Sequence, residues 1–345
     1  MKPVSVTSLA RKLGLRIVRP AALSITRQRE GDGWAYFNAR GRRLADRRIV
    51  ERLNRLAVPP AYENVLYASD PRAHLQAIGR DAAGRLQYRY HPDWEKIREI
   101  RKAQRLIGLV EVLPRIRRAL AARLTGDAPT REFALAAVIE LISETALRPG
   151  GEEYARAHRT RGATTLLKSN VRCDGETLAL SFRAKGGKQV RKEFRHARLG
   201  AAVAKLRELP GPRLFQYRAE DGSVRPIGAA DANAFLREIA ECAITLKDFR
   251  TLCGTAEAME ALAAVEPATS ARARKKQIVA AIRSAAEKLE NSPAICRKSY
   301  VHPAVLTAFE SGALREFAEQ LARARSDAPA RAAVGALLEA AAAAA

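Results

Sequence analysis

The sequence predicts an α+β protein of two domains, a small β-rich N-terminal lobe followed by a larger, mostly helical domain, and three observations carry that expectation. Near residues 92 to 100 the spacing of apolar residues changes from short β-prone runs broken by glycine to helical periodicity. The 345 residues exceed what one compact domain usually needs. A hydrophobic content of 47% is ordinary for packed cores and argues against a disordered chain. The expected limits are 1–95 for the β-rich lobe, 96–328 for the helical domain, and 329–345 for an alanine-rich tail.

Taken in order, the segment from Ile17 to about Asp93 alternates short runs with turns. Trp34-Ala35-Tyr36-Phe37 precedes Gly41, Val65-Leu66-Tyr67 follows, and two further runs flank Gly84. One helix interrupts them, opened by Asp46 as cap, with Ile49, Val50, Leu53 and Leu56 at helical spacing, and closed by Pro59-Pro60. The extreme N-terminus has some presequence character in its Arg and Ser content, but Ile25 to Phe37 already reads as folded domain. Beyond Trp94 the helical stripe runs through Ile97, Ile100, Leu106 and Leu109, then Phe133, Ala137, Ile139, Ile142 and Leu147. A hairpin stands inside the helical part: Leu178, Leu180 and Phe182 alternate with polar residues, Lys185-Gly186-Gly187-Lys188 makes the turn, and Val190 to Phe194 returns. Pro329 to Ala345 reads as a frayed helix or tail without chemistry.

Charge narrows the partner. Lys and Arg number 61 against 37 Asp and Glu, a net charge of +24 that repels itself unless a polyanion is a regular partner. A coding bias toward Ala and Arg would not suppress the acidic residues, so nucleic acid is the expected partner. Cys173, Cys242, Cys253 and Cys296 form no C-x-x-C pair and read as buried thiols of a reducing compartment. His74, His91, His158, His196 and His302 show no ligand spacing, so no metal site is expected. Apolar stretches are interrupted well short of a membrane span, which points to a cytoplasmic, nucleoid-associated protein.

Four segments in order carry the chemistry. They are Glu144-Thr145-Ala146-Leu147-Arg148-Pro149-Gly150, Ala184-Lys185-Gly186-Gly187-Lys188, Thr245-Leu246-Lys247-Asp248-Phe249-Arg250-Thr251, and the run from Asn291 through Arg297, Lys298, Ser299 and Tyr300 to Pro303. Together they resemble the active-site motifs of type IB DNA topoisomerases, in the compact poxvirus-like and bacterial branch. The stretch from Gly79 and Arg80 through Arg85, Gln87, Tyr88 and Tyr90 to Pro92 resembles the N-terminal signature of that branch. Each piece alone is weak; a tyrosine late in a helical domain is ordinarily packed, and an arginine on a helix is ordinarily solvated. The ordered set, from about Trp34 to His302, is specific.

The resemblance implies a two-lobed clamp around duplex DNA, with the helical lobe of the kind shared with tyrosine recombinases. It implies relaxation of positive and negative supercoils through a transient single-strand break. Tyr300 would attack phosphorus and hold the 3′ end, conserving the bond, so that neither ATP, metal nor any other cofactor is needed. Arg148 and Arg250 would clamp the phosphorane, a role suited to planar, permanently charged, bidentate groups. Lys185 would protonate the 5′-oxygen, with Lys247 as auxiliary donor. Asn291 stands where the family usually has histidine; it still donates a hydrogen bond but carries no charge. Gln87, Tyr88, Tyr90, Arg80 and Arg85 would contact DNA, while for Lys188 and Arg297 a phosphate contact and a solvated face weigh equally. A monomer is implied. Two rival readings remain: a tyrosine recombinase, whose second arginine usually sits in His-x-x-Arg where this chain has Lys247-x-x-Arg250, and a non-catalytic architectural DNA-binding protein, against which the presence of all four site residues argues.

Overall fold

A computed structural model describes residues 5–126, 129–322 and 327–343. The chain divides into two units, Met1–Gln104 and Arg105–Ala345.

The first unit is built on a five-stranded antiparallel sheet of order β2-β1-β3-β4-β5, from β1 (Ile25–Glu30), β2 (Gly33–Phe37), β3 (Glu63–Tyr67), β4 (Leu75–Arg80) and β5 (Leu86–Tyr90). Helix α1 (Val6–Lys12) precedes the sheet and α2 (Arg47–Arg55) is inserted between β2 and β3. Asp46 opens α2 as expected, its carboxylate accepting the Arg48 N–H at 2.8 Å, which satisfies an amide that a helix start leaves free. Leu53 from α2 joins Ile25, Tyr36, Val58, Val65, Tyr67 and Ala77 in the core, where the two tyrosine rings meet edge to face at 5.5 Å. The Tyr36 hydroxyl reaches Asn54 at 2.7 Å. Leu9 and Ala10 of α1 are buried with Leu15 and Ile97, so α1 packs as part of this unit.

Helix α3 (Pro92–Arg123) runs for 32 residues and carries the chain into the second unit. Ile97, Leu106 and Leu109 lie on its buried stripe, whereas Ile100, expected beside them, is 41% exposed. The second unit continues with α4 (Arg131–Thr145), α5 (Glu152–His158), β6 (Val171–Asp174), β7 (Thr177–Arg183), β8 (Gln189–Arg195), α6 (Ala197–Glu208), β9 (Gln216–Arg218), β10 (Val224–Pro226) and α7 (Ala229–Ala240). It closes with α8 (Leu246–Ala263), α9 (Ala271–Lys288), α10 (Pro293–Ser299), α11 (Pro303–Glu310), α12 (Arg315–Ala322) and α13 (Asp327–Ala343). The expected hairpin is present as β7 and β8, with Leu178, Leu180, Phe182 and Val190 buried, and β6 adds a third antiparallel strand that the alternation did not reveal.

Two helices organise this unit. α4 is buried on every side from Phe133 to Ile142, and its one deep charge, Glu140, is met by His196 at 3.2 Å. α8 is buried along most of its length and packs against α4, α9, α11, α12 and α13. The alanine-rich stretch read as a frayed helix or tail is a helix, and it is packed where fraying was expected: α13 buries Ala333, Val334, Leu337 and Leu338 and lies on α8, because four small or branched apolar residues at helical spacing suffice once a partner face exists. Cys253 and Cys296 are buried thiols as expected, while Cys173 and Cys242 are only half-buried, and no disulfide joins any of the four among the described residues.

Candidate active site

The site gathers around the start of α8. Thr245 caps this helix, and Asp248 holds the cap, accepting the Thr245 N–H at 2.9 Å and its hydroxyl at 2.8 Å. The other oxygen of Asp248 takes Arg105 at 3.2 Å, so a buried carboxylate fixes the turn that bears Lys247 and Arg250. Arg250 is 3% exposed, and two of its nitrogens are spent on backbone carbonyls from distant segments, Ala146 and, at 2.9 Å, Leu289. Its Nε is buried without a partner. Burial pulls this guanidinium below the usual arginine value, with Arg148 adding to the effect.

Tyr300 ends α10 and its ring lies beneath these cations, 5.0 Å from the Arg250 guanidinium and 5.8 Å from the Lys247 ammonium. Burial pushes the phenol up, but the charge and hydrogen-bonding reach of Arg250, then the charges of Arg148 and Lys247, outweigh it and set the phenol below the usual tyrosine value. Asn291, also buried, follows the end of α9; its side-chain oxygen accepts the Ser292 N–H at 3.1 Å and its Nδ2 has no partner. Two buried donors, Arg250 Nε and Asn291 Nδ2, thus lack acceptors in the same part of the chain that holds Tyr300. Burial of unpaired donors is costly, and an anion taken into the site offsets that cost.

Arg148 follows the left-handed residue Ala146 that ends α4. Its loop depends on two glycines packed face to face: a Cβ on Gly162 would lie 2.6 Å from the backbone of Gly150 and 2.7 Å from the Arg148 carbonyl. That carbonyl accepts the Ala163 N–H at 2.8 Å, leaving the Arg148 side chain, which makes no hydrogen bond or ion pair among the described residues, to project from a pinned loop.

Lys185 follows Ala184, which bridges Arg161 beside the Gly162 that packs on the Arg148 loop. It is exposed at the hairpin tip with its ammonium 5.2 Å from the Tyr154 ring of α5, and among the described residues no contact joins it to Tyr300. On the first unit, Tyr88 is 45% exposed on β5 and stacks with Tyr90, which stacks in turn with Trp94. Gln87 and Arg85 are tied to Asp81 at 2.9 Å each, and Arg80 donates to the Gly84 carbonyl at 2.8 Å. Lys188 and Arg297 are exposed.

Sequence reading missed the residues that hold the nucleophile candidate from behind. A Cβ on Gly254 would lie 2.8 Å from Leu289 and 3.1 Å from the Tyr300 carbonyl, and the fully buried Thr255 hydroxyl bonds to that carbonyl at 3.0 Å. The spacing 247, 250, 254, 255 places all four on one stripe of a helix, but nothing in the spacing says what faces it.

A basic β-sheet unit followed by a helical unit in which cations converge on a buried tyrosine is the architecture of an enzyme acting on a polyanionic backbone. Residues 88–328 match the family described as the catalytic core of eukaryotic DNA topoisomerase I, and residues 33–81 match the N-terminal domain of bacterial DNA topoisomerase IB. The chain is 30% identical over 284 residues to the DNA topoisomerase 1B of Acanthamoeba polyphaga mimivirus, spanning 80% of this chain and 84% of that protein. The chain belongs to the type IB DNA topoisomerases, isomerases that relax supercoiled DNA. Among the described residues no helix is long and apolar enough to cross a membrane.

Proposed function

We propose that this chain relaxes supercoils of both signs by nicking one strand of duplex DNA with Tyr300, without ATP or metal, as a monomer. The observation that carries the reading is the buried Tyr300 phenol lying beneath two cations, its ring 5.0 Å from the Arg250 guanidinium and 5.8 Å from the Lys247 ammonium. The phenolic oxygen forms a bond to phosphorus, its proton leaves to solvent, and the bond from phosphorus to the 5′-oxygen breaks. That oxygen takes a proton from Lys185. The reverse sequence reseals the strand, the 3′-phosphotyrosyl bond having kept the energy of the bond that broke.

Arg148 and Arg250 bear the charge of the pentacoordinate phosphorus, and Asn291 Nδ2 donates to a non-bridging oxygen. Lys247, its ammonium 5.8 Å from the Tyr300 ring, serves as the auxiliary donor. Lys185 is exposed at a hairpin tip, where its side chain is free to turn from the Tyr154 ring toward the leaving oxygen once phosphate attracts it. On the β-sheet unit the exposed Tyr88 and stacked Tyr90 supply groove contacts, while Gln87, Arg85 and Arg80 exchange their internal acceptors for DNA.

The test is relaxation of negatively and positively supercoiled plasmid in EDTA without ATP, with wild type beside Tyr300→Phe. Wild type relaxes both substrates and Tyr300→Phe relaxes neither while still binding DNA. An active Tyr300→Phe enzyme would remove Tyr300 from the mechanism, and an inert wild type would return the recombinase and architectural readings.

A further inference from the structure

We propose that Thr255 is a positioning residue for the nucleophile, gripping the main chain just after Tyr300 so that the phenol is held beneath Arg250. This inference rests on Tyr300 being the attacking residue.

The backbone around Tyr300 is secured differently on its two sides. On the N-terminal side the last turn of α10 holds it, the Tyr300 N–H reaching the Cys296 carbonyl at 2.9 Å. On the other side the chain has left the helix: Tyr300 is the cap residue, with φ −125 and ψ −17, and α11 does not begin until Pro303. The Val301 N–H still returns to the Cys296 carbonyl at 3.1 Å, and beyond it the Thr255 side chain spans the gap. The Thr255 hydroxyl donates to the Tyr300 carbonyl at 3.0 Å and accepts the His302 N–H at 3.2 Å, closing a bridge over Val301. Thr255 is fully buried, so no water competes for either bond.

Gly254 completes the grip. It lets α8 approach until an added Cβ would lie 3.1 Å from the Tyr300 carbonyl and 3.2 Å from the Tyr300 Cβ. α8 therefore presents two turns to one residue: Lys247 and Arg250 meet the Tyr300 ring, and Gly254 and Thr255 meet its backbone. A single rigid helix sets both the position of the phenol and the charges around it, so the distance between nucleophile and cations does not depend on the relative motion of separate elements. The Thr255 hydroxyl touches no reacting atom. Its effect passes through the backbone of Tyr300.

The experiment compares wild type, Thr255→Val, Thr255→Ser and Tyr300→Phe in single-turnover cleavage of a duplex whose cleaved 5′ strand dissociates, so that covalent adduct accumulates. Rates are taken across a pH series, with DNA binding and thermal unfolding measured on the same preparations. Valine keeps the shape of threonine without the hydroxyl. Thr255→Val should bind DNA as wild type does and cleave roughly 10- to 100-fold more slowly, the range expected when a reacting group is misplaced by about an ångström. Its pH–rate profile should shift to higher pH, because a phenol released from Arg250 returns toward the ordinary tyrosine value. Thr255→Ser should recover most of the rate. If Thr255→Val fails to fold, Thr255→Ala, which lacks the hydroxyl and adds no bulk, takes its place.

A Thr255→Val enzyme that cleaves at the wild-type rate overturns the proposal. So does one that is slowed with an unmoved pH profile, or one whose loss serine does not repair, since either pattern marks a residue that only stabilises the fold. Adduct formation by Tyr300→Phe would instead overturn the assignment of the nucleophile itself, whatever the Thr255 variants do.

Discussion

Replacing Arg250 by lysine keeps the positive charge and removes the geometry. In the structure this guanidinium bonds the Ala146 carbonyl, bonds the Leu289 carbonyl at 2.9 Å, and still offers Nε toward an anion. An ammonium on a linear stem cannot address two carbonyls from segments 143 residues apart in sequence, counting from 146 to 289, and also face a phosphate. At least one buried carbonyl loses its partner, which costs about 1–3 kcal/mol of stability. The transition state loses a preorganised donor, worth about 2.7–4 kcal/mol, or roughly 10²–10³ in rate. The assay is single-turnover formation of the covalent adduct by Arg250→Lys at saturating DNA, paired with urea unfolding of the free protein. The expected pattern is a rate loss of that size with DNA affinity little changed. An Arg250→Lys enzyme that cleaves within about threefold of wild type would refute the argument that bidentate geometry, and not charge alone, is what this position supplies.

Four further outcomes are expected. Lys185→Ala should cleave ordinary DNA slowly and regain its rate on a substrate whose 5′-oxygen is replaced by the better leaving group sulfur; a loss of equal size on both would remove Lys185 as proton donor. Asn291→His should cleave at an unchanged or higher rate, measured as adduct per unit time, because the ring also donates where Nδ2 does; a large loss would mean the site is built around the amide. Gly162→Ala should lower both the unfolding midpoint and the cleavage rate, since its Cβ would lie 2.6 Å from the Gly150 backbone and displace the loop bearing Arg148; wild-type behaviour in both assays would contradict the packing. For His196, the hydrogen bond to Glu140 raises the pKa above the ordinary 6.5 against the opposing effect of burial. Its contribution is therefore complete below that ordinary value and is lost as pH rises through the raised value, so urea stability compared between about pH 5 and pH 8 should show this loss in wild type and not in Glu140→Gln.

Much of the candidate site was legible because the chemistry proposed for it needs particular side chains in a particular order. Arg148, Lys185, Lys247, Arg250 and Tyr300 could be named from four short segments, and the structure brings Arg250, Lys247 and Tyr300 together, with the charge of Arg148 felt by both Arg250 and Tyr300. Lys185 was named by the same logic, yet its ammonium stands 5.2 Å from the Tyr154 ring, a neighbour that a motif does not reveal. The β-rich lobe was legible from alternation and turns, and α2 from its cap and stripe. β6 was not, because four residues of Val171–Asp174 carry too little pattern to register as a strand until β7 is there to pair with it.

By itself the sequence determined the α+β order and the excess of positive charge that calls for a polyanion, because these follow from composition and period, and its ordered motifs named the candidates for the reactive groups. Only the tertiary structure decided what stands behind those groups. The carbonyls of Ala146 and Leu289, the missing Cβ of Gly254 and the hydroxyl of Thr255 are ordinary features that any helix or loop contains. They acquire meaning through partners 35 to 104 residues distant along the chain. The same holds for α13, whose few apolar residues specify nothing alone and become a packed helix once α8 offers them a face. The free energy of such contacts belongs to pairs of surfaces, and a linear pattern records only one member of each pair.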